Sequence, residues 1–116
     1  MSDPGPSDPP DSDWERDFQR LREIYRRKLR GQLATLEAIL REARDEAPAR
    51  PKLDAARRLA HRLKGTSGSY RLETSCAALE GIEQQLEQMQ SGTAPDPGAA
   101  WAAIEEALGR VRAGLE

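Results

Sequence analysis

The fold of this chain is decided by one long stretch, WERDFQRLREIYRRKLRGQLATLEAILREA, at residues 14–43. Its apolar residues recur at steps of three and four, which is the period of an amphipathic α-helix. They are Trp14, Phe18, Leu21, Tyr25, Leu29, Leu33, Leu36, Leu40 and Ala43. A single helix over residues 14–46 would be about 50 Å long at 1.5 Å per residue. Successive four-residue steps near Gly31 predict a break or bend there, which allows an additional N-terminal helix.

Three further stretches carry apolar stripes with the same helical period. The stripes are Leu53, Ala56, Ala60, Leu63, Ser67 and Tyr70, then Leu72, Cys76, Leu79, Glu83, Leu86 and Gln90, and finally Trp101, Ile104, Leu108, Val111 and Leu115. Loops are expected at 48–51 and 91–95, and Asp96 followed by Pro97 predicts a helix start. Short loops between helices of similar length favour antiparallel neighbours. The sequence therefore predicts an all-α fold, an antiparallel up-and-down four-helix bundle.

Composition restricts the class of protein further. The chain has 116 residues, enough for one domain, and its 4% of aromatic residues argues against β-sandwiches and barrels. Residues 1–13 are rich in Pro, Ser and Asp, so we expect a disordered acidic tail before a bundle over residues 14–116. The chain lacks a long apolar run and a secretory signal, which predicts a cytoplasmic protein. The single cysteine, Cys76, cannot form an internal disulfide, and no metal site is expected.

Charge is unevenly distributed along a chain whose net charge is −2. Residues 48–72 hold seven Lys and Arg residues against one acid, Asp54. A local surplus of positive charge indicates an anionic partner or ligand. The surplus is too small for a nucleic-acid interface, which usually shows a basic domain and aromatic platforms.

The most informative segment is HRLKGTSGSY, at residues 61–70. His61 is the only histidine, and at 100° per residue it lies roughly 130° from the centre of the apolar stripe, on a solvent-facing flank. Its neighbours on the helix surface would be Arg57, Lys64, Gly65 and Gly68. Each glycine costs about 1 kcal/mol in a helix interior. Either the helix ends at Lys64 and a loop follows, or the missing side chains leave the imidazole accessible to a docking protein.

This segment resembles the signature of histidine-containing phosphotransfer (HPt) domains, His-x-Leu-Lys-Gly-(Ser/Thr)-(Ala/Ser)-Gly. The family includes the N-terminal phosphoacceptor domain of chemotaxis-type histidine kinases. The resemblance is specific over residues 57–86, and it implies a bundle whose surface histidine accepts a phosphoryl group, usually on Nε2. By this resemblance His61 is the phosphoacceptor and Lys64 stabilises the phosphoryl group. Gly65 provides clearance for the partner. The helix-surface neighbours Gly68 and Arg57 are expected to take part in docking of the receiver as well.

The resemblance also implies partners. These would be a response-regulator receiver domain, a histidine kinase, or both, and we expect a monomer that binds neither nucleic acid nor membranes. The receiver typically supplies Mg²⁺ and the aspartate, so no cofactor is expected in this chain. The chain lacks a phosphate-binding Gly-rich loop and room for a kinase domain, so we expect a phosphocarrier and not an enzyme. Whether it is freestanding or the N-terminal module of a larger kinase stays open. The alternative function is a helical adaptor that binds a signalling partner through its basic flank without carrying phosphate.

Glu83 is a second candidate residue. Many HPt domains carry Leu-Glu on the helix after the histidine, and Ile82-Glu83 occupies those positions here. Glu83 also falls on the core-facing stripe of its helix, where a carboxylate needs a partner. A hydrogen bond from Nδ1–H of His61 would fix the ring tautomer and leave a lone pair on Nε2. The alternatives are that Glu83 reaches solvent, or that Gln84 orients the ring.

One position departs from the HPt pattern. Family members commonly have glycine where this chain has Arg71, just before Leu72 and the next helix. Glycine suits the left-handed conformation that often ends helices. We therefore expect a differently shaped turn here, with an added cation near the docking surface.

Overall fold

The architecture is four consecutive α-helices. A computed structural model of the chain describes residues 10–45 and 50–115, with the side chains of residues 10–12 excepted. The helices are α1 (Pro10–Asp45), α2 (Arg50–Ser69), α3 (Glu73–Ser91) and α4 (Pro97–Gly114). The part of the predicted acidic tail at residues 1–9 lies outside the described residues. Residues 10–13 belong to α1, so this helix begins earlier than Trp14, where the apolar period starts.

Contacts at two levels of three helix pairs establish an up-and-down, antiparallel order. Between α1 and α2, Lys52 pairs with Glu42 at one end and the Phe18 and Tyr70 rings stack at the other. Between α2 and α3, Arg57 bonds to Gln90 at one level, and at the other the Cys76 sulfur lies 3.5 Å from the position that a Cβ on Gly68 would take. Between α1 and α4, the contacts are Arg44 to Glu105 and Arg30 to the Leu115 carbonyl. The predicted all-α four-helix bundle is confirmed.

The core is aliphatic and receives side chains from all four helices. Its fully buried members include Leu29, Leu36, Leu63, Leu79, Ile82, Leu86, Ile104 and Val111. Each of these residues lies on an apolar stripe or directly beside one, because a helix buries one face when it packs against its neighbours. None of the helices in the described ranges has a segment long and apolar enough to cross a membrane.

The predicted interruption of the first helix is wrong. α1 runs without a break through Gly31, and a Cβ placed on this glycine would meet no atom within 4 Å. The described residues therefore contain no additional N-terminal helix. Because α1 has 36 residues and α2 only 20, its N-terminal part extends past the end of the α2 helix.

Two predicted boundaries can be compared with the structure. Asp96 caps α4 as expected, since its Oδ1 accepts hydrogen bonds from the backbone N–H of Gly98 (3.0 Å) and Ala99 (3.3 Å). The loop predicted at 48–51 is shorter at its C-terminal end, because Arg50 and Pro51 belong to the first turn of α2. Proline is tolerated in that turn, whose N–H groups lack partners within the helix. Residues 46–49 lie outside the described part of the chain.

The turn between α2 and α3 keeps a left-handed residue, so the expectation of a different shape is wrong. Arg71 has φ of 58°, and Leu72 N–H donates to the Ser67 carbonyl at 2.9 Å. A non-glycine residue in this conformation is strained by about 1 kcal/mol or more. The Arg71 guanidinium lies over the Trp14 ring (6.0 Å) and the Phe18 ring (5.3 Å), and these contacts offset part of the strain.

Substitutions at Arg71 test this balance. Arg71→Gly and Arg71→Ala both lose the contacts with the aromatic rings, but only glycine adopts positive φ without strain. We expect Arg71→Gly to be more stable than Arg71→Ala by about 1 kcal/mol. Urea unfolding followed by circular dichroism measures the difference. Equal free energies of unfolding for the two variants would show that the left-handed conformation is not maintained in solution.

Candidate functional site

The glycine-containing segment after the histidine is helical. α2 continues to Ser69, so the alternative in which the helix ends at Lys64 is wrong. Two hydroxyl groups bond back along the helix: Thr66 Oγ1 to the Arg62 carbonyl (3.1 Å) and Ser69 Oγ to the Gly65 carbonyl (3.2 Å). Ser67 is fully buried on the core side. Because this segment is helical, the exposed face of α2 continues for two turns beyond His61.

His61 lies on this surface with its ring turned toward α3. Its side chain is 64% exposed, and its Nδ1 atom lies 2.8 Å from Oε2 of Glu83. Glu83 is buried, with 8% of its surface exposed. The predicted proximity of a solvent-facing imidazole and a core-facing carboxylate is therefore present. Gln84, the alternative partner, is exposed and is not the residue bonded to the ring.

Lys64 completes a three-residue cluster. Its Nζ atom lies 3.0 Å from Oε1 of Glu83, so the two carboxylate oxygens bind two different side chains of α2. The resemblance to HPt domains implies contact of Lys64 with a phosphoryl group, and the ion pair with Glu83 was not predicted. A signal for it existed, because a buried carboxylate requires more than one hydrogen bond and Lys64 is one turn from His61.

The charges of the cluster determine which ring nitrogen of His61 carries the proton. Burial raises the pKa of the Glu83 carboxyl, but hydrogen bonds from Lys64 and His61 outweigh burial and hold it below its ordinary value. The hydrogen bond to Glu83 raises the pKa of Lys64. At neutral pH Glu83 is thus a carboxylate, which can only accept hydrogen bonds. Nδ1 of His61 must then donate, and in the neutral ring Nε2 carries the lone pair.

Gly65 and Gly68 differ in their surroundings. A Cβ on Gly65 would meet no atom within 4 Å, so this glycine leaves open space on the exposed surface of α2, one turn after His61. A Cβ on Gly68 would lie 3.5 Å from the Cys76 sulfur, at ordinary contact distance from α3. The surface beside the imidazole is therefore free at Gly65, whereas a Cβ on Gly68 would fit in ordinary contact with α3.

Arg57 is held away from the imidazole cluster. Its Nε donates to the Gln90 side chain (2.9 Å), and its Nη2 atom pairs with Asp54 (3.0 Å). Asp54 also pairs with Arg58 at 2.8 Å, and these contacts hold the pKa of the Asp54 carboxyl below its ordinary value. Two of the seven cations counted in this region are thus paired with its only acid.

Glu83→Gln tests the energetic role of the carboxylate. We expect it to lower the free energy of unfolding at pH 7 by about 1 kcal/mol, because the charge that binds Lys64 and His61 is removed. Because the folded pKa of Glu83 is depressed, its contribution is present above the unfolded value, about 4.3, and is lost as the pH falls through the lower folded value.

Chemical denaturation at a series of pH values measures this dependence. The difference between wild type and Glu83→Gln should shrink below about pH 4. The contribution of Lys64, whose pKa is raised, should be lost only on the alkaline side, above its ordinary value of 10.5. A difference that stays constant from pH 7 to pH 3 would contradict the ionised cluster.

The fold and the cluster together define a class of helical proteins, in which a histidine on the surface of a four-helix bundle presents one free ring nitrogen to the solvent. Comparison with known families narrows the class. The family model of the Hpt domain matches residues 20–114, and the chain belongs to this family. Hpt domains serve histidine phosphotransfer in phosphorelay signalling and act as phosphocarriers. No curated protein and no solved structure matches the chain significantly.

Proposed function

We propose that this chain accepts a phosphoryl group on Nε2 of His61 and exchanges it with the aspartate of a response-regulator receiver domain. The observation that carries the proposal is the hydrogen bond of 2.8 Å between Nδ1 of His61 and buried Glu83, on a side chain that is 64% exposed. This arrangement leaves Nε2 as the only ring nitrogen with a lone pair that a partner can reach.

The transfer step requires little from this chain beyond positioning. The lone pair of Nε2 forms a bond to phosphorus, and the bond between phosphorus and the receiver's aspartyl oxygen breaks, which regenerates the carboxylate. The Nδ1 proton stays on the ring, so the imidazole becomes cationic, and Glu83 stabilises the positive charge from 2.8 Å. The reverse step breaks the bond between Nε2 and phosphorus. Orientation of this kind accounts for much of the rate of phosphoryl transfer.

Without phosphate Lys64 is paired with Glu83, and its role in phosphoryl transfer begins once phosphate is present. Its ammonium group is held by Glu83 on the same flank as His61, and its side chain is 27% exposed. The phosphoryl group is a strong acceptor that carries up to two negative charges, and a flexible lysine can bind it without losing a proton. We therefore propose that Lys64 stabilises the phosphorylated state, with Glu83 then bonded to the imidazole alone.

Lys64→Ala tests this role. We expect transfer from a phosphorylated receiver to slow by about tenfold, because one charge-assisted hydrogen bond to the phosphoryl group is lost. Lys52→Ala is the matched control, since Lys52 lies on the same helix and its ammonium group is bound to Glu42 at 2.8 Å, far from His61 along α2. Reactions quenched at short times give the rates of phosphoryl transfer to each variant. Equal rates for Lys64→Ala and Lys52→Ala would remove Lys64 from the mechanism.

The proposed function is tested by direct phosphorylation. The chain is mixed with receiver domains labelled on aspartate, and also with a histidine kinase and ATP. The expected product is a protein-bound phosphate that is lost in acid and retained in base, as a phosphoramidate is. If a receiver binds and no such phosphate forms, the chain is an adaptor that uses its basic flank, and the proposal fails.

A further inference from the structure

The N-terminal half of α1 carries an apolar face that the bundle does not cover. Trp14 is 55% exposed, Leu21 48% and Ile24 53%, and these are the large hydrophobic side chains most exposed among the described residues. They belong to a row of positions spaced by three and four, which we call the α1 stripe: Trp14, Asp17, Leu21, Ile24, Lys28 and Gly31. This spacing is the a/d pattern with which one helix packs on another.

The α1 stripe is separate from the face that α1 contributes to the core. At 100° per residue its centre is rotated by roughly 100° from the core-facing residues such as Leu29 and Leu36. Leu21, Ile24 and Lys28 also border a groove of about 220 Å³ between α1 and α2. A second helix that packs on the stripe would therefore contact α1 and the edge of α2 together.

The order of residues along the stripe is complementary to itself when two copies run antiparallel. Opposing a and d positions then pair Leu21 with Ile24 of the second copy, and Ile24 with its Leu21. In the same register Asp17 lies opposite Lys28 of the second copy, twice by symmetry. The ends of the register bring Trp14 against Gly31 of the second copy. Gly31 is exposed, and no atom lies within 4 Å of a Cβ placed on it, so a large ring has room there.

The charged side chains of the α1 stripe have no ion-pair partner among the described residues. Asp17 and Lys28 are exposed, and among residues 10–45 and 50–115 neither has an ion-pair partner. We propose that two copies of this chain associate through the α1 stripe as an antiparallel, two-fold symmetric pair of α1 helices. This association replaces the monomer expected from the sequence. His61 is not among the residues that line the groove beside the α1 stripe, and its ring faces α3.

Charge reversal provides a direct test. Asp17→Lys places two lysines opposite each other in every symmetric pair, and Lys28→Glu places two acids there. We expect wild type to show a concentration-dependent dimer in sedimentation velocity, and each variant alone to weaken self-association at least about tenfold. A mixture of the two variants should form a heterodimer, because each lysine then faces an acid of the other chain. Association through other surfaces would not show this rescue.

Matched controls separate the register from total charge. Glu15→Lys and Arg27→Glu make the same charge changes on the same helix at exposed positions outside the stripe, and they should dimerise as wild type does. The proposal is overturned if wild type remains monomeric at millimolar concentration. A monomeric wild type whose stripe variants lose receiver binding would show that the α1 stripe binds the receiver and not a second copy. The proposal is also overturned if mixing Asp17→Lys with Lys28→Glu fails to restore association.

Discussion

His61→Gln is expected to abolish phosphoryl transfer to this chain, with labelling reduced to the background of a reaction without the protein. Glutamine resembles histidine in size, but its amide has no nucleophilic ring nitrogen. The nucleophile is therefore removed while the surface is largely preserved. The chain has no second histidine that could take over the reaction. This is the largest effect that we predict for any substitution.

The fold of His61→Gln should be retained, because the replaced side chain is 64% exposed and bonds only to Glu83 among the described residues. Circular dichroism and urea unfolding provide the control, together with binding of an unphosphorylated receiver. Wild-type labelling of a folded His61→Gln variant would exclude His61 as the phosphoacceptor. Loss of helicity would instead require the test to be repeated with His61→Asn.

Gly65→Leu should produce the second-largest effect, a fall of about a hundredfold in the rate of transfer with a receiver. Gly65 lies one turn beyond His61 on the exposed surface of α2, and the space beside it is open. A leucine side chain there would hold a docked receiver away from Nε2, and a displacement of about 1 Å can cost a hundredfold in rate. The stability of the variant should rise by up to about 1 kcal/mol, because glycine is a poor helix former.

The opposite signs of these two effects make the prediction specific. Gly109→Leu is the matched control, since Gly109 lies inside α4 and a Cβ on it also meets nothing within 4 Å. It should be stabilised in the same way and transfer phosphoryl groups at the wild-type rate. If Gly65→Leu also transferred at the wild-type rate, the receiver would not approach His61 over this surface.

The fold was predictable because the spacing of apolar residues and the capping residues within each helix indicate where the helix lies. The period of three and four from Trp14 to Ala43 identifies α1, and Asp96 followed by Pro97 marks the start of α4. The break predicted at Gly31 was wrong, because a glycine costs a helix only about 1 kcal/mol and packing on the bundle outweighs that cost. Packing likewise holds Arg71 in a left-handed conformation that its side chain disfavours.

Part of the geometry of the candidate site was predictable from the sequence, and the network of contacts around it was not. Glu83 stood out because it interrupts an apolar stripe, and of the alternatives left open there the structure has the contact with His61, which gives the buried carboxylate a donor. The pairing of Lys64 with the same carboxylate depends on how α2 packs against α3. The spacing of residues along a single helix does not determine that packing. The redirection of Arg57 toward Asp54 and Gln90 depends on side-chain competition, which is also absent from the pattern.

The proposed mechanism of transfer depends most on which nitrogen of His61 takes the phosphoryl group. Nuclear magnetic resonance of the phosphorylated chain, with ¹⁵N-labelled histidine and ³¹P detection, observes this atom directly. We predict that phosphorus is coupled to Nε2 of His61 and that Nδ1 keeps a proton bonded to Glu83. Phosphorus coupled to Nδ1, or a phosphate on any other residue, would contradict the account.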